Sequence, residues 1–222
     1  MRKHITLVFA VFVLLASGVG TVAADHEPPS DAERMDIYHG WDHGRLTIAI
    51  HAGKGVPQEM VAAVERAIAT WNEALAHRFG RDVVLVDVTG RGKEAAQADI
   101  VVQLNRSNGM NTGVARCDTT FDKRNADCDT RIWGHQETPS KWAIFTDDQL
   151  YFLAVHELGH ALGLGHADPI MESMDVMGYG WMWDSVPDHA ITACDMDGLE
   201  AVFAWVLAGT EPAPPTVESI AC

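Results

Sequence analysis

From Arg45 to His51 apolar residues alternate with polar ones, Leu46, Ile48 and Ile50 falling between Arg45, Thr47 and His51. This is the period of a strand with one buried face. Between Pro57 and Phe79 the period changes: Met60, Val64, Ile68, Trp71 and Leu75 recur at spacings of three and four, which predicts a helix with one apolar stripe. Val83–Val88 and Asp99–Leu104 read as further strands and Gly113–Arg116 as a short edge strand. A long loop follows. Leu150, Phe152, Leu153, Val155, Leu158, Ala161 and Leu162 then give a helix over Asp147–Leu162 a buried face, and His156, Glu157 and His160 fall on the opposite one. The order predicts one α+β domain over residues 41–207, with no internal repeats.

The flanks read differently. Residues 25–40 are polar and contain proline, which predicts a flexible lead-in, and residues 208–222 carry Glu211-Pro212-Ala213-Pro214-Pro215, an extended tail. At the start, Arg2 and Lys3 precede an apolar run from Ile5 to Ala16, and Val22-Ala23-Ala24 has the small residues of a cleavage site. Residues 1–24 therefore read as a signal peptide. The uncharged stretch from Ile5 to Ala24 is almost long enough to span a bilayer, so an uncleaved anchor is the open alternative.

His156-Glu157-Leu158-Gly159-His160-Ala161-Leu162-Gly163-Leu164-Gly165-His166 carries the chemistry. His156 and His160 lie one helical turn apart on one face, where both imidazoles can reach one cation. Gly163 supplies the residue type that adopts positive φ at little cost, so the chain can turn back and bring His166 to the same ion. Three histidines leave a coordination position open for water, which is the arrangement of catalytic zinc sites and not of closed structural ones. Glu157 is placed to take that water's proton as general base. Requiring Gly163 and His166 in addition to the first five residues makes a chance match roughly 200-fold rarer, given 19 Gly and 11 His in 222 residues.

At these residues the chain resembles the metzincin clan of zinc endopeptidases, and beyond them the matrixin family within it. Ile68-Ala69-Thr70-Trp71 is similar to the A-x-x-W pattern of the first matrixin helix, Ala98–Val102 to the third strand, and Gly113-Val114-Ala115 to the edge strand. Asp195-Met196-Asp197-Gly198-Leu199-Glu200-Ala201-Val202-Phe203 is similar to the C-terminal helix. The resemblance covers roughly Leu46 to Ala204. It implies a metzincin-type zincin fold, a twisted mixed sheet with two long helices, namely the zinc-site helix and the C-terminal helix, and peptide or protein substrates bound antiparallel to the edge strand near Gly113–Arg116. The alternative is a non-catalytic metal- or peptide-binding envelope protein that keeps the fold, a reading that retention of Glu157 disfavours.

Charge and cysteine content narrow the setting. The formal charge is −15, with 16 Lys and Arg against 31 Asp and Glu. Residues 1–24 hold two of the basic residues and no acidic one, so the chain without them carries −17. Nucleic acid is thereby disfavoured as a partner, and a monomer is expected. A solvated acidic surface and adaptation to salt or to a cationic substrate both fit. Four cysteines (Cys117, Cys128, Cys194, Cys222) all follow the signal, as in a chain secreted to the cell envelope or exterior. Cys117 with Cys128 and Cys194 with Cys222 is the most economical of three pairings; the other pairings and free thiols stay open. No cysteine lies between Asp25 and Arg116, so the cysteine switch of many matrixins is absent.

Three departures from the family limit what carries over. Ala167 follows His166, where matrixins usually have Ser. The Met-turn beneath the metal can be supplied by Met177 or Met174, with Val176-Met177-Gly178-Tyr179 the better match. Its M-x-Y spacing resembles astacins and serralysins, in which the Tyr hydroxyl reaches the zinc or the oxyanion; Tyr179 either acts so or packs beside Trp181 and Trp183. The loop before the zinc helix offers His135 with Asp118, Asp122, Asp127 and Asp129: one histidine cannot form the family's structural zinc site, and the aspartates are either a calcium site or a solvated acidic loop.

Overall fold

The structure, a computed structural model, describes residues 34–105, 113–117, 128–133, 135–137, 142–144, 146–170, 173, 175–178 and 191–222. In chain order the elements are β1 (Arg34–Ile37), β2 (Arg45–Ala52), α1 (Gln58–Phe79), β3 (Val84–Asp87), β4 (Ile100–Asn105), β5 (Gly113–Cys117), β6 (Cys128–Trp133), β7 (His135–Glu137), β8 (Trp142–Ile144), α2 (Asp147–Leu162), β9 (Leu164–Asp168), α3 (Ala193–Val202), α4 (Ala204–Ala208) and β10 (Ser219–Ala221). The main sheet runs β3-β2-β4-β6-β5. β2 pairs parallel with β3 and β4, and β4 parallel with β6; only β5, at the edge, is antiparallel.

The two periodicities explain the packing. Leu46, Ile48 and Ile50 of β2, Ile100, Val102 and Leu104 of β4, and Cys128 and Ile132 of β6 share one core with the α1 stripe Met60, Val64, Ile68, Trp71 and Leu75. α2 lies against α1, β5 and β6. Trp71 is fully buried and its indole N–H donates to the Val155 carbonyl at 2.9 Å, which fixes α1 against the middle of α2. Asn72 pairs with both backbone groups of Leu85, tying α1 to β3. Arg78, near the end of α1, bonds Glu200 and Asp197 of α3.

The structure departs from two expectations. The loop predicted after β5 contains β6, a strand inside the main sheet, with β7 and β8 after it. Its inward side chains Cys128, Thr130 and Ile132 alternate as a half-buried strand should, but acidic and basic neighbours mask so short a run. Residues 34–40, expected to be flexible, enter a second sheet in which β1 lies between β9 and β10, with Met35 and Trp41 fully buried. The tail ends in β10, and disulfides join Cys117 to Cys128 and Cys194 to Cys222. Among the described residues no helix is long and apolar enough to cross a membrane; the stretch read as signal peptide or anchor lies outside them.

At the start of β2 and β4, His43 sits between Asp42 (2.6 Å) and Asp99 (3.4 Å), while Asp99 also accepts from the amide and hydroxyl of Thr47. The hydrogen bond to Asp99 raises the His43 pKa to about 9, partial burial opposing. An unfolded histidine titrates near 6.5, so this contribution to stability is complete below that pH and is lost as pH rises through about 9. The free energy of unfolding is expected to fall across that window in the wild type and to fall less in His43→Gln. Parallel pH profiles for the two proteins, from urea denaturation, would contradict the assignment.

Candidate active site

α2 delivers the first two histidines from a helix whose ends are both fixed. Thr146 caps its N-terminus in a capping box with Gln149. Gly163 ends it at φ 117°, and a Cβ there would stand 2.6 Å from the His39 carbonyl oxygen, so both conformation and space require glycine. β9 then carries His166 back. The ligand-type atoms of His156, His160 and His166 lie within 4.8 Å of one another, with ring centroids 4.6, 4.7 and 5.5 Å apart.

Each imidazole is oriented through Nδ1. His156 Nδ1–H donates to the Val176 carbonyl at 2.7 Å and His160 Nδ1–H to the Leu164 carbonyl at 2.9 Å. The Tyr38 hydroxyl lies 3.3 Å from His166 Nδ1. A neutral imidazole that donates from Nδ1 carries its lone pair on Nε2, so the two carbonyls select, for His156 and His160, the tautomer a metal needs. Burial lowers the pKa of all three, that of His160 to about 4, keeping the rings neutral at physiological pH. The donor set, its spacing and its protonation fit a zinc ion with an open position.

Glu157, next to His156 in α2, lies against the edge of the main sheet. A Cβ on Gly113 would stand 2.1 Å from Glu157 Oε1, so the first residue of β5 makes room for the carboxyl by having no side chain. Burial pushes its pKa up to about 8, and Oε2 has no hydrogen-bond partner among the described residues. A cation held by the neighbouring imidazoles would favour the charged form.

Behind the site, Met177 is fully buried, and a Cβ on Gly159 would meet its Sδ at 2.3 Å. Met177 thus packs against α2 at Gly159, next to His160. The Met177 carbonyl accepts from the Ala167 amide at 3.1 Å, and the Val176 amide bonds Asp195, which with Thr192 caps α3. Burial, with Asp175 nearby, raises the Asp195 pKa to about 7.

A second grouping, His39 with Cys117 and Cys128, also brings ligand-type atoms within 4.8 Å. Its sulfurs are joined in a disulfide and offer no thiolate, so the three-histidine group is the candidate metal site. Its His39 donates Nε2–H to the His160 carbonyl at 3.1 Å.

A family model described as Matrixin matches residues 40–204. The chain belongs to the matrixin family. A human relative, matrix metalloproteinase-15, is 26% identical over 187 residues; the match covers 79% of this chain and 26% of that protein.

Of the residues singled out from the sequence, His156, His160 and His166 converge, and Glu157 is buried next to His156 in α2. Tyr179 lies outside the described residues, as do Met174, Asp118, Asp122 and Asp127; only the backbone is described for Asp129 and His135. The sequence reading missed Tyr38, Gly113 and the carbonyls of Val176 and Leu164. None of them is marked by a pattern in its own segment of the sequence.

Gly113→Ala should retain the metal but displace the Glu157 carboxyl and lower kcat by about 10²-fold, the usual cost of misplacing a reacting group by about 1 Å. A kcat within twofold of the wild type would show that Glu157 does not need this space.

Proposed function

We propose that the protein is a secreted zinc-dependent endopeptidase in which His156, His160 and His166 hold one catalytic zinc and Glu157 is the general base. The observation that carries this reading is the convergence of three imidazoles, two of them anchored through Nδ1 to backbone carbonyls, with the buried Glu157, whose Oε2 lacks a hydrogen-bond partner among the described residues, next to His156 in the helix. When bound, the zinc supplies Lewis acidity that polarises the scissile carbonyl and lowers the pKa of water.

The chain's own residues supply the rest. β5 pairs with β6 alone among the described residues, and its other edge can accept an extended peptide antiparallel. A substrate laid along that edge passes Gly113 and therefore the Glu157 carboxyl. Glu157 removes a proton from the attacking water and hands it to the leaving amine, and its burial keeps bulk water from competing for that proton. Met177 and Gly159 brace the helix that carries the first two ligands. Tyr179 is retained as a candidate for stabilising the oxyanion, with Tyr179→Phe as its test.

Secretion is supported by the N-terminal sequence and by two disulfides, which persist in oxidising compartments. The non-catalytic alternative is not favoured, since the position of the base is filled.

The purified protein should carry one zinc and lose peptidase activity on chelation. Glu157→Gln should keep the zinc and lower kcat/KM by at least about 10²-fold, whereas His160→Ala should lose both zinc and activity. Turnover in Glu157→Gln close to that of the wild type would refute the mechanism; full zinc in His160→Ala would refute the ligand assignment.

A further inference from the structure

Two of the three imidazoles are anchored by backbone carbonyls that arise from the zinc-helix region itself. The third is not. His166 stands next to Tyr38, more than a hundred residues earlier in the chain, at the end of β1. The Tyr38 ring stacks on His160, with centroids 5.7 Å apart and planes 10° from parallel, and meets His166 edge-on at 6.2 Å. One aromatic side chain therefore touches two of the three proposed ligands.

Several features hold it there. β1 pairs antiparallel with β9, the strand that carries His166, in the register Met35 with Ala167 and Ile37 with Leu164. The Tyr38 amide donates to the Gly163 carbonyl at 2.9 Å. A Cβ on Gly165 would stand 2.5 Å from Tyr38 Cε1 and 2.8 Å from Cδ1, so the residue just before His166 leaves its space to this ring. On its other side β1 pairs with β10, and Cys222 beyond it is bridged to Cys194 in α3. Tyr38 is 53% exposed, so its placement is not a by-product of core packing.

We propose that Tyr38 is a positioning residue of the metal site: its hydroxyl accepts the Nδ1–H of His166 and holds that imidazole in the tautomer and orientation in which Nε2 meets the zinc. The stack on His160 fixes the ring so that the hydroxyl stays in reach. The inference rests on the reading of His156, His160 and His166 as zinc ligands. It makes the N-terminal strand part of the catalytic centre, a role that neither the motif nor the family match, which begins at residue 40, assigns to it.

The test is the zinc dissociation constant of the full chain, measured by competition with a chromophoric chelator, for wild type, Tyr38→Phe and Tyr38→Ala. Thermal unfolding of the zinc-free forms and KM at saturating zinc are measured alongside. Tyr38→Phe keeps the ring and removes only the hydroxyl, so it should unfold at the wild-type temperature when zinc-free and keep its KM, yet bind zinc about tenfold more weakly. Tyr38→Ala, which also loses the stack, should approach 100-fold, the upper end for loss of an outer-shell partner. Zinc binding by Tyr38→Phe within twofold of the wild type would overturn the proposal. So would a loss of affinity matched by a lower zinc-free unfolding temperature, which marks general destabilisation. A wild-type chain that binds no zinc would instead overturn the proposed function, and this inference with it.

Discussion

The site depends on the Nδ1 contacts of three histidines. A zinc ligand must present a neutral ring, the correct tautomer and a fixed direction, and a hydrogen bond from Nδ1 sets the last two at once. Val176 and Leu164 provide acceptors for His156 and His160, and Tyr38 stands at His166. Much of the surrounding fold can be understood as keeping these three partners in place. Asp195 holds the backbone of Val176, Gly163 turns the chain so that Leu164 faces His160, and β1 presents Tyr38 along β9.

Burial serves the same end and exacts a cost. Removing the histidines from water keeps them unprotonated, which favours metal binding, but the same desolvation opposes the charged form of Glu157 and leaves Oε2 without a partner among the described residues. An unsatisfied buried polar atom costs about 1–3 kcal/mol. The apolar core formed by α1, α2 and the main sheet offsets it, with Trp71 fixing one helix to the other. A carboxyl kept short of hydrogen-bond partners is also one prepared to accept a proton, so the cost falls where the proposed chemistry needs it.

Local patterns were legible wherever one face of an element is buried by neighbours of ordinary composition. The alternation in β2 and the three-four spacing in α1 located both elements to within a residue or so, and the H-E-x-x-H-x-x-G-x-x-H spacing identified the three histidines that converge. Elements whose reason for existing is distant in sequence were not legible. β6 is a strand because β4 and β5 flank it, although Asp129 and Arg131 interrupt its apolar run. β1 and β10 are strands because each finds the other across almost the whole chain, and neither is long enough to announce itself. Tyr38 was overlooked for that reason: its neighbours are set by pairing with β9 and not by its own segment. Gly113 was placed on the edge strand correctly, but the space it leaves for Glu157 is a relation between two elements that no local pattern records.

The central claim is that one ion is held by three imidazoles with a position open to solvent. Zinc K-edge X-ray absorption of the purified protein tests it most directly. The account predicts a first shell of about four nitrogen and oxygen atoms at about 2.0–2.1 Å, outer-shell scattering from imidazole rings, and no sulfur. A sulfur shell at about 2.3 Å, placing the ion on Cys117 and Cys128 with His39, would contradict it.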